Sequence, residues 1–174
     1  MATFSRLGKQ LEELVSTLSS GNARFALVGG LALAAHKVPR ATQDIDFLAD
    51  GDMAESIHQL LLGLGYQCLH RSAEAGNYQR NDERVDFIYA HRPASIRLLS
   101  QARALATPFG RLHVVSAEGL IGLKLQAYVN NPRRTQDLED IKSLLAANRQ
   151  MDMDEIRGYF RLFDRESLLQ ELMT

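Results

Sequence analysis

The stretch "LVGGLALAAHKVPRATQDIDF" at residues 27–47 decides the fold and holds the most informative polar residues of the chain. An apolar run ends at Gly29 and Gly30, and the helix formers after them predict a strand-to-helix turn at the two glycines. Pro39 breaks that helix and predicts a loop. The segment "DIDFLAD" that follows alternates polar and apolar residues, which predicts a second strand.

The second strand places two carboxylates side by side. Residues two apart on a strand share a face, so Asp44 and Asp46 are expected on one face and Ile45 and Phe47 on the other. Adjacent like charges repel unless a cation lies between them, and Mg²⁺ takes oxygen ligands while leaving positions open for substrate phosphates. The glycine turn complements such a site, because a backbone without Cβ atoms can approach a phosphate closely and the following helix start offers unpaired N–H groups. Together the two features predict a metal–nucleotide site.

The hydrophobic pattern predicts an α/β (α+β) fold with a short mixed sheet flanked by helices and a C-terminal helical segment. We expect a core over residues 1–115, which includes an N-terminal helix, and a helical segment over residues 116–174 that packs on the core. Strands are predicted at residues 24–29, 44–50, 66–70, 76–81, 84–90 and 110–116. Helices are predicted at residues 7–19, 30–37, 53–65, 93–105, 116–129, 132–147, 153–163 and 165–173.

The composition is that of an ordinary folded domain. The 174 residues are 45% hydrophobic and 24% charged, with a formal net charge of -1, which argues against a surface that is basic throughout. Cys68 is the single cysteine, so neither an internal disulfide nor a cysteine zinc site is expected. No stretch has the length of a membrane span or the pattern of a signal peptide, and we therefore expect a cytoplasmic protein.

The glycine turn and the Asp-x-Asp strand at this spacing resemble the nucleotidyltransferase superfamily that includes DNA polymerase beta, especially its small prokaryotic members of the AbiEii toxin type. "LVGG" and "DIDF" match the two halves of the family signature, and "PRATQD" looks like the family's lead-in to the second half. "LKLQAYVNNPRRTQDLEDIKSLL" is similar to the helical tail of those members. The resemblance covers roughly residues 25–147, with one departure at Leu31, where no hydroxyl follows the glycines.

The resemblance implies transfer of a nucleoside monophosphate from an NTP to an acceptor hydroxyl, with release of pyrophosphate. It implies Mg²⁺ or Mn²⁺ as cofactor, RNA or protein as acceptor, a cognate antitoxin or toxin protein as possible partner, and no membrane. Asp44, Asp46 and Asp86 are the catalytic and metal-binding candidates that it implies, and Asp86 is also the candidate general base. The nucleotide-binding candidates are Gly29, Gly30, Arg40, Thr42 and Lys124.

Simpler interpretations stand beside these assignments. Asp86 could form an ion pair with Arg84, which precedes it on the same face of the strand "RVDFIYA". Lys124 lies in an apolar helix, where a lone charge usually reaches out to the surface. Asp137 and Asp140 could pair within their own helix with nearby arginines.

Two other classes of protein have motifs that partly match the glycine turn or the Asp-x-Asp strand. The Asp-x-Asp pair of haloacid-dehalogenase phosphatases follows a long apolar strand, which the loop before Asp44 does not provide. A dinucleotide-binding turn needs a third glycine that "GGLALA" lacks. The remaining alternative is a nucleotide- or protein-binding module that keeps the fold without turnover.

Overall fold

The computed structural model describes residues 5–174 and has a seven-stranded mixed sheet covered by helices. The strands are β1 (Phe25–Val28), β2 (Asp44–Asp50), β3 (Gln67–Arg71), β4 (Ala75–Arg80), β5 (Glu83–Ala90), β6 (Arg103–Thr107) and β7 (Gly110–Val114). The α-helices are α1 (Arg6–Ser20), α2 (Gly29–Ala35), α3 (Ala54–Gly63), α4 (Pro93–Gln101), α5 (Ala117–Asn130), α6 (Thr135–Ala147), α7 (Met153–Leu162) and α8 (Glu166–Met173). A short 3-10 helix at Gly51–Met53 leads into α3. The predicted fold class is confirmed.

The order of strands in the sheet is β3-β4-β5-β2-β1-β7-β6. The central strands β2 and β5 are parallel, as are β1 and β7, and the other neighbouring pairs are antiparallel. Because β2 and β5 are neighbours, two aspartate-bearing strands that lie far apart in the sequence meet at the centre of the sheet.

The alternation expected for β2 is present. Ile45 and Phe47 are fully buried, whereas Asp44 and Asp46 on the other face are only partly buried. Below the sheet, the Phe47 ring contacts those of Phe25 and Phe87, so an aromatic core fixes the strand from that side. The apolar face of β2 is thus anchored in the core, and its polar face is free to form a site.

Two helices cover opposite faces of the sheet. α3 lies on the aromatic side, where His58 Nδ1 is 3.1 Å from the hydroxyl of Tyr78. α5 lies on the carboxylate side, where its residues share a cavity with Asp46 and Asp86. In residues 5–174, none of the helices combines the length and apolar character needed to cross a bilayer.

The prediction was wrong for part of residues 93–105. The helix ends at Gln101, and residues 103–107 form β6, which pairs antiparallel with β7. Ala102 is the C-cap of α4 and has an extended ψ of 140°, so the helix stops there without a glycine or proline signal. The division of the chain between residues 115 and 116 stays a prediction.

Candidate functional site

A row of polar side chains crosses the centre of the sheet. Asp46 of β2 lies opposite Asp86 of β5, and Asp86 in turn lies opposite Asn77 of β4. Side chains of directly opposed residues point to the same face, so these groups share the face that β2 also gives to Asp44. We call Asp44, Asp46 and Asp86 the carboxylate face. Two strands thereby bring three carboxylates onto one surface, although Asp46 and Asp86 are 40 residues apart in the sequence.

The glycine turn packs against this face. Gly29 has a positive φ of 66°, and a Cβ atom built on it would lie 2.2 Å from an Asp46 carboxylate oxygen. A Cβ on Gly30 would lie 2.8 Å from the Thr42 side chain. Both glycines are therefore required by close approach to neighbouring side chains of the site, in addition to any approach to a phosphate.

Asp86 has a neutral hydrogen-bond partner. Asn77 Nδ2 donates to its Oδ1 at 2.7 Å, which leaves the second oxygen, Oδ2, without a bond to a described side chain. Arg84, the alternative partner considered from the sequence, forms no salt bridge in residues 5–174. Asn77 fixes the orientation of the carboxylate without cancelling its charge.

A small cavity of about 160 Å³ opens between the sheet and α5. Four of the predicted site residues line it, namely Gly29, Asp46, Asp86 and Lys124. The other four lie outside its lining: Asp44, Gly30, Arg40 and Thr42. Its polar lining consists of Asp46, Asp86, Lys124, Arg134 and Asp137, and its other walls are Val28, Gly29, Ile88, Leu120, Leu123 and Ala127.

Burial and neighbouring carboxylates both act on Asp46 in the cavity. The pKa of Asp46 is raised from 3.8 to about 6, first by burial and then by the neighbouring charges of Asp86 and Asp44. Lys124 and Arg40 lower the pKa, but by less. The ionised form of Asp46 is less stable here than in water, so the site favours a positive charge close to Asp46.

A second charged group lies behind the cavity, between α5 and α6. Lys124 Nζ is 3.1 Å from Asp137 Oδ1 and 2.6 Å from Asp140 Oδ2, and all three side chains are at most 13% exposed. Arg134 Nε is 2.6 Å from Asp137 Oδ2, and Arg40 contacts Asp140. We call these five residues the ion-pair cluster. It joins the loop before β2 to both helices.

The ion-pair cluster corrects two interpretations of the sequence. Lys124 does not reach out to solvent, because buried aspartates hold it at the wall of the cavity. Asp137 pairs with a nearby arginine, as considered, namely Arg134 at the N-cap of α6. Asp140 instead pairs with Lys124 of α5 and with Arg40, 100 residues away. The i, i+3 spacing on α6 turns both carboxylates inward, and the sequence alone could not show what they would meet there.

Thr42 and Arg40 lie beside the cavity. The Thr42 hydroxyl donates to the backbone oxygen of Asp44 at 3.1 Å, which holds the loop at the start of β2. Arg40 is directed to α6, and its charge still acts on Asp46. Both residues are placed to shape the site.

Asn77 was missed by sequence reasoning. The turn at Asn81 and Asp82 joins β4 to β5, and pairing the two strands about that turn puts Asn77 opposite Asp86. The signal was therefore present in the hairpin register, once "GNYQRN" is taken as the partner of "RVDFIYA".

The fold agrees with solved structures of nucleotidyltransferases. The antibiotic-resistance factor ANT(2")-Ia, solved in complex with adenylyl-2"-tobramycin, has 15% sequence identity and a TM-score of 0.71 over 92% of this chain and 98% of its own. The lincomycin-bound lincosamide antibiotic adenylyltransferase LnuA has 15% identity and a TM-score of 0.59 over 80% of this chain and 97% of its own. An antigenic nucleotidyltransferase-like protein from Paracoccidioides brasiliensis has 17% identity and a TM-score of 0.57, covering 97% and 92% of the two chains. At these identities the likeness shows the fold.

The family follows from the sequence itself. None of the curated proteins compared with the chain matches it. The model of the family described as "Nucleotidyl transferase AbiEii toxin, Type IV TA system" matches residues 13–172, which include every residue of the carboxylate face and of the ion-pair cluster. The resemblance inferred from the glycine turn and the Asp-x-Asp strand is thus confirmed, and the chain belongs to the AbiEii nucleotidyltransferase toxin family.

Proposed function

We propose that this protein transfers a nucleoside monophosphate from an NTP to an acceptor hydroxyl of RNA or protein in a Mg²⁺-dependent or Mn²⁺-dependent reaction. The observation that carries the proposal is the direct opposition of Asp46 and Asp86 on one face of the sheet, with Asp44 two residues before Asp46. Membership of the AbiEii family supports the reaction class. We also propose that the protein acts in the cytoplasm, as a toxin that has a cognate antitoxin.

The carboxylate face fits a hard divalent cation. Its donors are carboxylate oxygens, the ligands that Mg²⁺ prefers. Burial and the charges of Asp86 and Asp44 raise the pKa of Asp46, and a bound cation would offset both effects. Within residues 5–174, no three His, Cys, Asp or Glu side chains are close enough to form a complete metal site. The carboxylate face therefore suits a Mg²⁺ ion that is held by one or two carboxylates together with substrate phosphates. When bound, the cation would stabilise the charge that develops on the attacking and leaving oxygens.

The nucleotide is proposed to bind between the glycine turn and α5. Gly29 and Lys124 line the same cavity as Asp46 and Asp86, so a phosphate placed there meets a backbone without a Cβ atom and an ammonium group. Arg134, whose side chain is 56% exposed, provides a second positive charge at the same opening. Gly30, Arg40 and Thr42 support this half of the site through the packing and hydrogen bonds already described.

Asp86 is proposed as the general base. Its Oδ2 would accept the proton of the acceptor hydroxyl, whose oxygen forms a bond to the α-phosphorus while the bond from that phosphorus to the β-phosphate oxygen breaks. Pyrophosphate leaves and the acceptor keeps the nucleoside monophosphate. The hydrogen bond from Asn77 to Oδ1 would hold Oδ2 towards the acceptor.

A small-molecule acceptor is the second possibility for the same chemistry. It is favoured by the similarity of fold to the lincosamide adenylyltransferase and to the factor bound to adenylyl-2"-tobramycin. A binding module without turnover would keep the same fold, and only a measured reaction separates it from an enzyme.

The test is incubation of the protein with each of four α-³²P-labelled NTPs, with Mg²⁺ or EDTA, and with total RNA, cell lysate or a panel of hydroxyl-bearing antibiotics. We expect Mg²⁺-dependent label in RNA or in a protein band, and none with Asp46→Asn. Label only in an antibiotic would assign a small-molecule acceptor. No label in any sample, in the presence of either Mg²⁺ or Mn²⁺, would contradict the transferase proposal.

A further inference from the structure

A cavity of about 630 Å³ lies outside the proposed active site, at the C-terminal end of α2 and the N-terminal end of α5. It is bounded by the end of α2, the start of β6, the end of β7, the start of α5 and the chain after α6. Its lining includes the cationic residues Lys37, Arg103 and Arg149, the polar residues His36, Gln101, Asn148 and Gln150, and the single carboxylate Glu118. We call this the basic cavity.

The cations of the basic cavity have no ionic partners. Lys37, Arg103 and Arg149 are exposed, and none forms a salt bridge within residues 5–174. The carboxylate of Glu118 instead accepts a hydrogen bond from the backbone N–H of Asp152 at 2.9 Å. Three positive charges from separate parts of the chain therefore converge on one cavity against one carboxylate, although the net charge of the whole protein is -1.

The rim of the cavity is held together by side-chain hydrogen bonds. The ring of His36 contacts the backbone oxygen of Val115 at 2.7 Å, which ties the end of α2 to the end of β7. Asn148 Nδ2 donates to the backbone oxygens of His36 and Leu144, both at 3.0 Å, which ties the end of α6 to the end of α2. These bonds fix the chain at His36 and Asn148, the residues just before Lys37 and Arg149, so the backbone that carries the two cations is held at the cavity.

Lys37 occupies a backbone conformation that usually belongs to glycine. Its φ is 67°, in the left-handed region, where a side chain other than glycine, asparagine or aspartate is uncommon. Backbone outliers of this kind concentrate at functional positions. A glycine would end α2 without strain, and the lysine instead adds a positive charge to the cavity.

The basic cavity is within reach of the proposed active site. α2 runs from Gly29 at the site to the cavity, and α5 runs from Ala117 at the cavity to Lys124 at the site. Each path covers seven residues, or about 10 Å at the rise of an α-helix. One strand of a nucleic-acid double helix advances about 3.4 Å along the helix axis per nucleotide, so a strand stacked in that way would span this distance with about three nucleotides.

From these observations we propose that the basic cavity binds the phosphates of a single-stranded RNA a few nucleotides away from the end that reacts. Exposed lysines and arginines that converge from different elements are the usual means of holding a phosphodiester backbone in register. The amide groups of Gln101 and Gln150 can donate to phosphate or ribose oxygens from the same rim. That the bound RNA is the acceptor rests on the proposed function, whereas the binding itself does not.

The experiment measures binding of a fluorescein-labelled 12-nucleotide single-stranded RNA by anisotropy, in EDTA and without nucleotide, at several KCl concentrations. The site variant is Lys37→Gln/Arg103→Gln/Arg149→Gln. The control variant, Lys9→Gln/Lys142→Gln/Arg165→Gln, removes the same charge at exposed positions outside the cavity. Thermal melts of both variants verify that they fold as the parent does.

We expect the site variant to bind at least tenfold more weakly than the parent at 0.1 M KCl. Its slope of log K against log salt should fall by about 2, since each phosphate contact on a single strand contributes about 0.7. The control variant should stay within twofold of the parent. An equal loss in both variants, an unchanged slope in the site variant, or no RNA binding by the parent would overturn the proposal.

A polyglutamate peptide of the same charge separates RNA from an acidic protein partner. If the peptide binds the parent as tightly as RNA does, and if its affinity falls as much as that of RNA in the site variant, the assignment to RNA is wrong. The site variant should also keep the thermal shift caused by NTP and Mg²⁺. Loss of RNA binding with a normal nucleotide shift therefore tests the basic cavity alone, whereas an absent nucleotide shift in the parent counts against the proposed function.

Discussion

The carboxylate face and the ion-pair cluster are neighbours with opposite charge balance. In the ion-pair cluster, two buried aspartates contact three cations, so each carboxylate has at least two positive partners. On the carboxylate face, Asp46 and Asp86 have each other as neighbours, and Asn77, whose side chain donates to Asp86, is neutral. A buried charge that is already paired supports the fold, whereas one left unpaired is costly unless a ligand completes it. We interpret the contrast as one between residues that stabilise the fold and residues that we propose bind a ligand.

The largest effect should come from breaking the ion-pair cluster. Asp140→Ala removes the carboxylate that both Lys124 and Arg40 contact, leaving a nearly buried ammonium with one partner fewer. We expect a loss of about 3–5 kcal/mol in the free energy of unfolding, measured in urea. Asp154→Ala removes an exposed i, i+3 partner of Arg157 and should cost less than about 1 kcal/mol. Similar losses in the two variants would remove the distinction between the regions.

On the carboxylate face, removing a charge should raise the free energy of unfolding instead of lowering it. Because the folded pKa of Asp46, about 6, exceeds its unfolded value of 3.8, the folded protein holds a proton that it must lose as the pH rises through 6. The free energy of unfolding of the parent therefore falls by up to about 3 kcal/mol as the pH rises from the unfolded pKa of 3.8 to the folded pKa of about 6. Asp46→Asn avoids this loss. Melts in EDTA should show equal stability near pH 4 and a more stable variant at pH 8.

This variant also tests the ligand. Asp46→Asn should abolish the stabilisation that NTP and Mg²⁺ give the parent, about 2.7 kcal/mol at a hundredfold excess over the Kd. A variant that melts lower than the parent at pH 8, yet keeps the nucleotide shift, would show that Asp46 is a structural residue. Asp82→Asn, at an exposed turn position, should change neither result.

A smaller loss is expected at the glycine turn. Gly29→Ala places a Cβ atom against Asp46 at a positive φ, and should cost about 1–3 kcal/mol in urea unfolding. Gly158 in α7 is exposed with open space around it, so Gly158→Ala should instead stabilise the protein by about 0.5–1 kcal/mol. If Gly29→Ala is neutral, the turn and the carboxylate face are not packed as described.

The smallest effect on stability should come from Asn77. Asn77→Ala removes the hydrogen bond to Asp86 and should cost about 1 kcal/mol, while the transfer rate falls tenfold or more because Asp86 is no longer oriented. Gln79, two residues further along β4, bonds only a turn carbonyl, so Gln79→Ala is the matched control and should leave the rate unchanged. A rate unaffected by Asn77→Ala would leave Asp86 without a positioning partner.

Much of the carboxylate face could be predicted from the sequence, because its information is local. Alternation along "DIDF" places Asp44 and Asp46 on one face, and the glycine turn lies within the same stretch. The pairing of β2 with β5 was less accessible, since parallel neighbours need a crossover connection and their register is set by the whole sheet. Asp86 was reached through the family resemblance.

The ion-pair cluster and β6 show where sequence reasoning ended. Arg40 and Asp140 belong to different local patterns, and each is equally consistent with an exposed residue until the packing of α6 is known. "RAL" continues the hydrophobic spacing of α4, so the strand that begins there has no local signal. Arg40 and Asp140 meet through a contact distant in sequence, whereas β6 is set by its hairpin pairing with the adjacent strand β7.

The pairing of Arg40 with Asp140 also sets an order on how the molecule forms. A ribosome that adds 5–20 residues per second needs about 5–20 s to travel from one to the other. In the later part of that interval, once residue 90 has been added, β2 and β5 have both been synthesised and can pair, whereas α6 is still incomplete. The nascent chain therefore carries its acidic strands before the helix that partners Lys124 exists, and the proposed catalytic surface is completed only when one of the last helices docks.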